Sequence, residues 1–485
     1  MKVQYDESQL SVIECESDKI CAEAKAGAGK TTTAIGFAAR RSNEKFIYLC
    51  LNKAMQLDAQ RRFGPNVECR TTHSVAFGSV GRFFADRVTA KWGARLIADE
   101  MGERSPRVAA AARAALLKFF GDTERDVQDH HIQDIQNDWQ LYGPEPDRAL
   151  ELARKVWRKM QDTKAKVSMP HDAYLKLWAL TEPQFKHQRV ILDEGQDTNP
   201  IIAQVIRSQK TAKVLVLGDR HQGIYLFRGS LNFMREFAES GATVIDLPRT
   251  WRFGDRTAAI ANEILGRLKG ETTKIIGMGK DEPAPKKGGR IAFLSRTNSV
   301  LFGVAAQRRG KSVHWVGGIQ NYRIEAVEDA YRLYSGQLGA IRDSIIRRYQ
   351  SWAQYEEDME ATKDAEARIL VKLVQQFRHE IPQLVQELRD NEERDPERAE
   401  VVLSTAHKMK GLDADHVVIG DDFECLFDAE EQLDGGGVLT PEMEQEINLL
   451  YVAVTRARKS VRLNLETKDW IARHGILLPG DAVTA

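Results

Sequence analysis

Two kinds of hydrophobic pattern alternate along the chain. Short apolar runs with polar borders occur at Lys45–Leu51 (Phe46, Ile47, Tyr48, Leu49), Val67–Arg70, Arg189–Leu192, Lys213–Leu217 and Thr243–Leu247, and they predict strands. Strand-like runs recur at Arg290–Ser295, Ser312–Val316, Val401–Ser404 and His416–Ile419. Elsewhere the period is helical. A helix is predicted through Arg62, Ala109–Phe120 is alanine-rich, and Arg148–Met160 sets Leu152, Val156 and Met160 on one face. The stretches from about residue 80 to 185 and from Arg323 to Arg398 read as helical throughout. Strands alternating with helices predict parallel sheets with crossover helices. The economical layout is two α/β units, each carrying a helical insertion. Lys269–Gly289, with its Pro283-Ala-Pro-Lys-Lys-Gly-Gly289 run, is the linker candidate.

At 485 residues the chain exceeds one ordinary core, which supports more than one domain. Hydrophobic residues at 42% and charged residues at 29% fit a globular protein in water. Apolar runs of membrane-spanning length are missing, and Met1-Lys-Val-Gln-Tyr-Asp-Glu7 does not open a secretory signal. No membrane partner is expected, and the setting is read as cytoplasmic, or nuclear in a eukaryote. Cys15, Cys21, Cys50, Cys69 and Cys425 show no CxxC spacing, so reduced structural thiols are expected rather than a zinc site or disulfides. Lys+Arg and Asp+Glu are each 70, so net charge argues for no nucleic-acid partner; DNA would need a local basic groove.

Chemistry concentrates at Val190-Ile-Leu-Asp-Glu-Gly-Gln-Asp197, an apolar run that delivers Asp193 and Glu194 to a strand's carboxyl end. Paired acids there suit a magnesium nucleotide, one holding the hydrated metal and the other taking a proton from water. Ala24-Lys-Ala-Gly-Ala-Gly-Lys-Thr31 departs from G-x-x-x-x-G-K-[ST] only in its first residue. Gly27 and Gly29 let backbone N–H groups close around phosphate, Lys30 reaches the β- and γ-phosphates, and Thr31 offers magnesium a hydroxyl. Gln9 presents a donor and an acceptor to an adenine edge, although taken alone it reads as a surface glutamine. Arg252, beside Trp251, and Arg456, where an apolar helix turns basic, are candidates to meet γ-phosphate charge; each alone reads as a solvated helix-end residue.

Together with Gly218-Asp-Arg-His-Gln-Gly-Ile-Tyr-Leu-Phe-Arg-Gly229 and Ser404-Thr-Ala-His-Lys-Met-Lys-Gly-Leu412, these motifs resemble the superfamily 1A DNA helicases of the UvrD, Rep and PcrA type. They follow that family's order from Gln9 to Arg458. Phe46–Lys53 through Thr71–Phe77 is especially similar to the F-box-containing DNA helicase branch, with no F-box expected in this sequence. The resemblance implies two RecA-like domains. Residues 1–79 and 186–268 would form domain 1A, 80–185 a helical 1B, 269–322 and 399–485 domain 2A, and 323–398 a small helical 2B. ATP and Mg2+ are the implied cofactors, with ATP in the cleft between the two RecA-like domains.

By that resemblance the nucleotide is held by Gln9, Ala26, Gly27, Ala28, Gly29, Lys30, Thr31, Thr32, Trp251 and Asp413. Thr31 and Asp193 hold the metal, Glu194 activates water, and Gln222, Arg252 and Arg456 act on the γ-phosphate. Asn52, Thr72, His73, Tyr225, Phe227, Arg228 and His407 line a single-strand path. Tyr225 and Phe227, which in isolation read as core, would stack on bases there. The resemblance implies a monomeric ATP-driven motor on single-stranded DNA or tailed duplex, moving 3′→5′ in repair or recombination. Departures from the pattern are Gly223 for serine, Asp413 for glutamate, Ala414 for an aromatic, and a short second insertion. Two alternatives stay open: a translocase that strips proteins from DNA, and a nucleotide-gated subunit of a nuclease or defence complex. RNA stays open as the strand, since stacking does not discriminate sugars.

Overall fold

The computed structural model describes residues 4–133, 135–136, 141–225, 232–283, 290–343, 345–362, 365–476 and 478. The chain divides into two compact units, Met1–Pro248 and Arg249–Ala485.

The first unit is built on six parallel strands: β1 Lys19–Ala24, β2 Phe46–Cys50, β3 Val67–Thr71, β4 Arg189–Leu192, β5 Lys213–Gly218 and β6 Thr243–Leu247, in the order β3-β2-β4-β5-β1-β6. Period-2 alternation sorts their side chains onto two faces. Phe46, Tyr48, Ile191, Leu215 and Leu217 join one core with Val12, Ile13 and Phe37. Ile47, Leu49, Val190, Leu192, Val214 and Val216 join the other, and the helical insertion is continuous with that second core. Leu152, Val156 and Met160 point into it from helix Glu145–Gln161, as their spacing predicts. β1, weakly apolar in sequence, is nevertheless an inner strand, paired with β5 on one side and β6 on the other. Its small residues Ala22 and Ala24 share a core with residues of helix Lys30–Arg40, so size rather than hydrophobicity suits them to that position.

The second unit begins with β7 Arg249–Thr250 and β8 Ile276–Gly277, a short parallel pair. Its main sheet comprises β9 Ile291–Ser295, β10 Val313–Trp315, β11 Val401–Thr405, β12 Ala414–Ile419 and β13 Ala457–Arg462, all parallel in the order β10-β11-β9-β12-β13. Helices Ile324–Tyr334, Trp352–Thr362, Ala365–Phe377 and Ile381–Asp390 form its insertion. The architecture is thus the expected α/β one with two parallel sheets.

Three details differ from the sequence pattern. Helix Asp255–Lys269 packs on helix Pro441–Val454 within the second unit, so the chain passes between units near Pro248. The Lys269–Gly289 segment therefore lies inside the second unit, where β8 pairs with β7; residues 284–289 lie outside the described ones. The segment through Arg458 is not one helix turning basic. The helix ends at Val454 and β13 starts at Ala457, an edge strand whose Arg and Lys side chains mask its period. Among the described residues no helix is long and apolar enough to cross a membrane. All five cysteines are free thiols, four of them buried.

Candidate functional site

Because the strands of the first sheet are parallel and nearly level, the segments after β1, β2, β3, β4 and β5 emerge on one edge. After β1 the chain turns through Gly27 (φ 76°) and Gly29 (φ 77°), both left-handed, and Gly29 caps helix Lys30–Arg40. A side chain at Gly29 would be strained, and its Cβ would lie 2.9 Å from Gln9 Nε2. The result is a backbone cradle at a helix N-terminus, the arrangement that favours phosphate. Ala26 and Ala28 are buried in it. Thr31 and Thr32 lie in the first helical turn, with Arg62 Nη2 3.4 Å from Thr32 Oγ1.

Gln9 is buried, and both ends of its amide are engaged. Oε1 accepts from Asp6 N at 3.2 Å in a capping box, and Nε2 donates to Ala28 O at 3.4 Å. It ties helix Glu7–Glu14 to the glycine loop.

After β4, Asp193 and Glu194 stand two strands from the loop, across β5. Lys30 Nζ lies 2.7 Å from Glu194 Oε2. Burial works to lower the Lys30 ammonium, but the Glu194 and Asp193 carboxylates outweigh it and hold Lys30 above its usual range. Burial raises the Asp193 carboxyl, helped by Glu194 and opposed by Lys30 and by the Tyr48 hydroxyl. Glu194 adopts left-handed backbone (φ 56°), sparsely populated for a non-glycine residue and a recurrent feature of functional turns. Asp193 and the Thr31 hydroxyl are hard oxygen donors, which fits magnesium rather than a thiolate- or imidazole-seeking metal.

Beyond the acid pair runs a chain of hydrogen bonds. Gln196 Nε2 donates to Glu194 Oε2, and Gln196 Oε1 accepts from Asp219 N at 3.1 Å. Gln222 Nε2 donates to Asp219 Oδ2 at 2.8 Å. Lys30, Glu194, Gln196, Asp219 and Gln222 are therefore linked from β1 across β4 to the turn after β5. Gly218 allows this: a Cβ there would lie 2.4 Å from Gln196 Oε1. Asp219, the hub, stands inside the quoted Gly-Asp-Arg-His-Gln motif but carries no expected role. Tyr48 was also unforeseen; its one signal is that a strand tyrosine needs a partner for its hydroxyl when buried.

Asn52, Thr72 and His73 lie on the same edge. Asn52 caps helix Lys53–Arg62, Thr72 opens helix Thr72–Ser79, and His73 Nε2 is 3.0 Å from Asp172 Oδ1. Tyr225 follows the turn containing Gln222, while Phe227 and Arg228 lie outside the described residues.

In the second unit, Arg252 Nη1 donates to Thr455 O at 3.1 Å, and its Nε is 3.7 Å from Asp413 Oδ2. Arg458 Nε also reaches Asp413, at 3.2 Å. Arg456 is buried, with Nε donating to Val452 O at 3.0 Å and Nη1 to Leu412 O at 3.2 Å. Trp251 is 53% exposed. His407 follows β11 in the turn capped by Thr405.

Asp122, His130 and His131 are close enough to offer atoms to a cation. Lys176 Nζ already sits 2.9 Å from Asp122 Oδ1, however, and Gln128 N donates to His131 Nδ1, leaving the other ring nitrogen to donate to Asp122. Asp122 is thus taken up by an ion pair with the buried Lys176, and His130 is exposed.

A glycine loop opening a helix after an inner strand of a parallel sheet, with an acid pair two strands away, defines the P-loop class of α/β proteins. Residues 147–240 match the UvrD/REP helicase N-terminal domain, and residues 321–467 match the UvrD-like helicase C-terminal domain. The chain belongs to the UvrD-like helicase family. It is 30% identical to F-box DNA helicase 1 of Gallus gallus over 94% of its length and 49% of the relative's. It is 28% identical to F-box DNA helicase protein 1 of Schizosaccharomyces pombe, covering 94% of this chain and 57% of that one. Identity to the ATP-dependent DNA helicase UvrD2 of Mycobacterium tuberculosis is 24%, over 95% and 78%. The chain thus spans about half the length of the two F-box relatives.

Proposed function

We propose that the chain is a magnesium- and ATP-dependent DNA helicase or translocase that moves 3′→5′ on single-stranded DNA, in repair or recombination. The observation that carries this reading is the hydrogen-bonded chain from Lys30 through Glu194, Gln196 and Asp219 to Gln222. A simple ATPase needs the loop and the acids; it does not need them wired to a turn that continues into an aromatic segment.

Before nucleotide arrives, Lys30 and Glu194 neutralise each other. Phosphate entering the cradle draws Lys30 away, which frees the Glu194 carboxylate to accept a proton from water. Asp193 and Thr31 would hold the magnesium, which when bound would supply positive charge against the phosphates. Gln9 exchanges its contact with Ala28 O for the adenine edge, Trp251 stacks on the base, and Asp413 faces the ribose or the phosphates. Arg252 and Arg456 supply positive charge as it is needed on the γ-phosphoryl oxygens. When Glu194 changes partner, Gln196 is pulled with it, and the displacement passes through Asp219 to Gln222 and Tyr225. The strand lies along Asn52, Thr72, His73, Tyr225, Phe227, Arg228 and His407, with the aromatic faces stacking on bases at about 1–3 kcal/mol each.

The test compares ATP turnover with and without single-stranded DNA. DNA should stimulate wild type, Lys30→Ala should abolish both rates, and Glu194→Gln should keep nucleotide binding while losing about 10²–10⁴-fold in turnover. No stimulation, together with intact turnover in Lys30→Ala, sinks the motor. Displacement assays on 3′- and 5′-tailed duplexes then separate unwinding from translocation that only strips proteins.

A further inference from the structure

Tyr48 is buried in the middle of β2, on the sheet face that packs against helix Lys30–Arg40, and its ring lies 4.8 Å from that of Phe63. β2 runs beside β4 with Leu49 opposite Leu192, and Asp193 N donates to Leu49 O at 3.0 Å. This register brings the Tyr48 hydroxyl to the Asp193 carboxylate, where it donates to Oδ2. The other oxygen, Oδ1, accepts the backbone N–H of Glu194 at 3.0 Å. One carboxylate oxygen is thus held from its own turn and the other from the neighbouring strand. Between them the two donors fix the plane of the carboxylate, and each leaves its oxygen a further lone pair.

We propose that Tyr48 is a positioning residue for magnesium: its hydroxyl locks Asp193 in the single orientation that meets the metal's hydration shell. The inference rests on the nucleotide-site reading above and goes beyond it, because nothing in the phosphate-loop or acid-pair motifs calls for a tyrosine on β2. A carboxylate that must pivot into place loses orientational freedom when the metal binds; one already held does not. Removing the outer partner of a metal ligand typically weakens the metal by about 10- to 100-fold.

The test uses the full chain and a fluorescent ATP analogue, with its affinity measured in EDTA and over a magnesium titration. Tyr48→Phe removes one oxygen and keeps the ring. Its affinity in EDTA should match wild type, while its magnesium half-saturation should rise by about 10-fold or more. Phe63→Leu, which loosens the ring packing and keeps the hydroxyl, should lower the melting temperature and leave the magnesium titration unchanged. An unchanged titration in Tyr48→Phe overturns the inference. So does an equal shift in Phe63→Leu, or failure of Tyr48→Phe to fold, since either would tie the hydroxyl to packing alone. Wild type lacking any magnesium-dependent binding would instead overturn the nucleotide-site reading itself.

Discussion

A charge drawn partly out of water needs a partner, and at the candidate site the partner of Lys30 is the carboxylate proposed to do the chemistry. Another lysine shows the same physics with less compensation. Lys408 Nζ lies 3.3 Å from the centroid of the Tyr322 ring and donates to Asn321 O at 2.6 Å. Burial pulls it from its ordinary 10.5 down to about 8. Between those values the unfolded chain binds the proton and the folded one releases it, so Lys408 makes the protein more stable as pH rises from 8 towards 10.5. Below pH 8 the cost of burying the ammonium is present in full. The stability of Lys408→Met relative to wild type should accordingly be most favourable at pH 7 and decline towards pH 10.5, as read by paired thermal melts. A gap that does not move with pH would contradict the burial account.

At the scale of elements, one polar junction ties three helical segments of the first unit's insertion together. Asp122 follows helix Pro106–Gly121, and its carboxylate accepts from His131 of helix His130–Gln133 and from Lys176 of helix His171–Ala179. Lys176 also donates to Asp122 O at 2.8 Å and lies 4.1 Å from the Phe119 ring centroid. Burial lowers the Lys176 ammonium, although Asp122 opposes the shift. Asp122→Ala would leave that ammonium buried without its counterion, at a cost of about 3–5 kcal/mol. Urea denaturation of the full chain measures it; a loss under about 1 kcal/mol, the worth of an exposed pair, would show that the pair is merely a surface one. The helices themselves were legible from their period, as at Leu152, Val156 and Met160, because burial on one face is a local property of spacing. The Asp122 junction was not, since its three participants belong to separate helices and each alone is an ordinary polar residue.

For the whole molecule, the proposed motor needs residues of both units. Arg252 belongs to the second, where Thr455 O and Asp413 hold it, while the phosphate loop belongs to the first. Arg252→Ala should therefore leave nucleotide affinity within a few-fold of wild type and cut DNA-stimulated turnover by about 10³-fold, the lower range for an arginine finger. Single-turnover hydrolysis beside equilibrium binding is the measurement. Unchanged turnover would remove Arg252 from the mechanism. Arg456 makes a poorer probe, because its guanidinium bonds Val452 O and Leu412 O and its loss would disturb the turn before β13.

Local order carried much of the molecule. Apolar runs of strand length, the Gly27–Thr31 loop and the Asp193-Glu194 pair are contiguous, so spacing alone disclosed two parallel-sheet units and the place to look for a site. Where contiguity ended, so did legibility. The edge strand Ala457–Arg462 was hidden by its charged face, and the assignment of helix Asp255–Lys269 depended on which core it joins. Tyr48 meets Asp193, and Gln196 meets Asp219, only because parallel strands set distant segments in register at one edge. Register follows from the burial of both faces of the sheet at once, a condition met by the folded chain as a whole and not by any stretch of it.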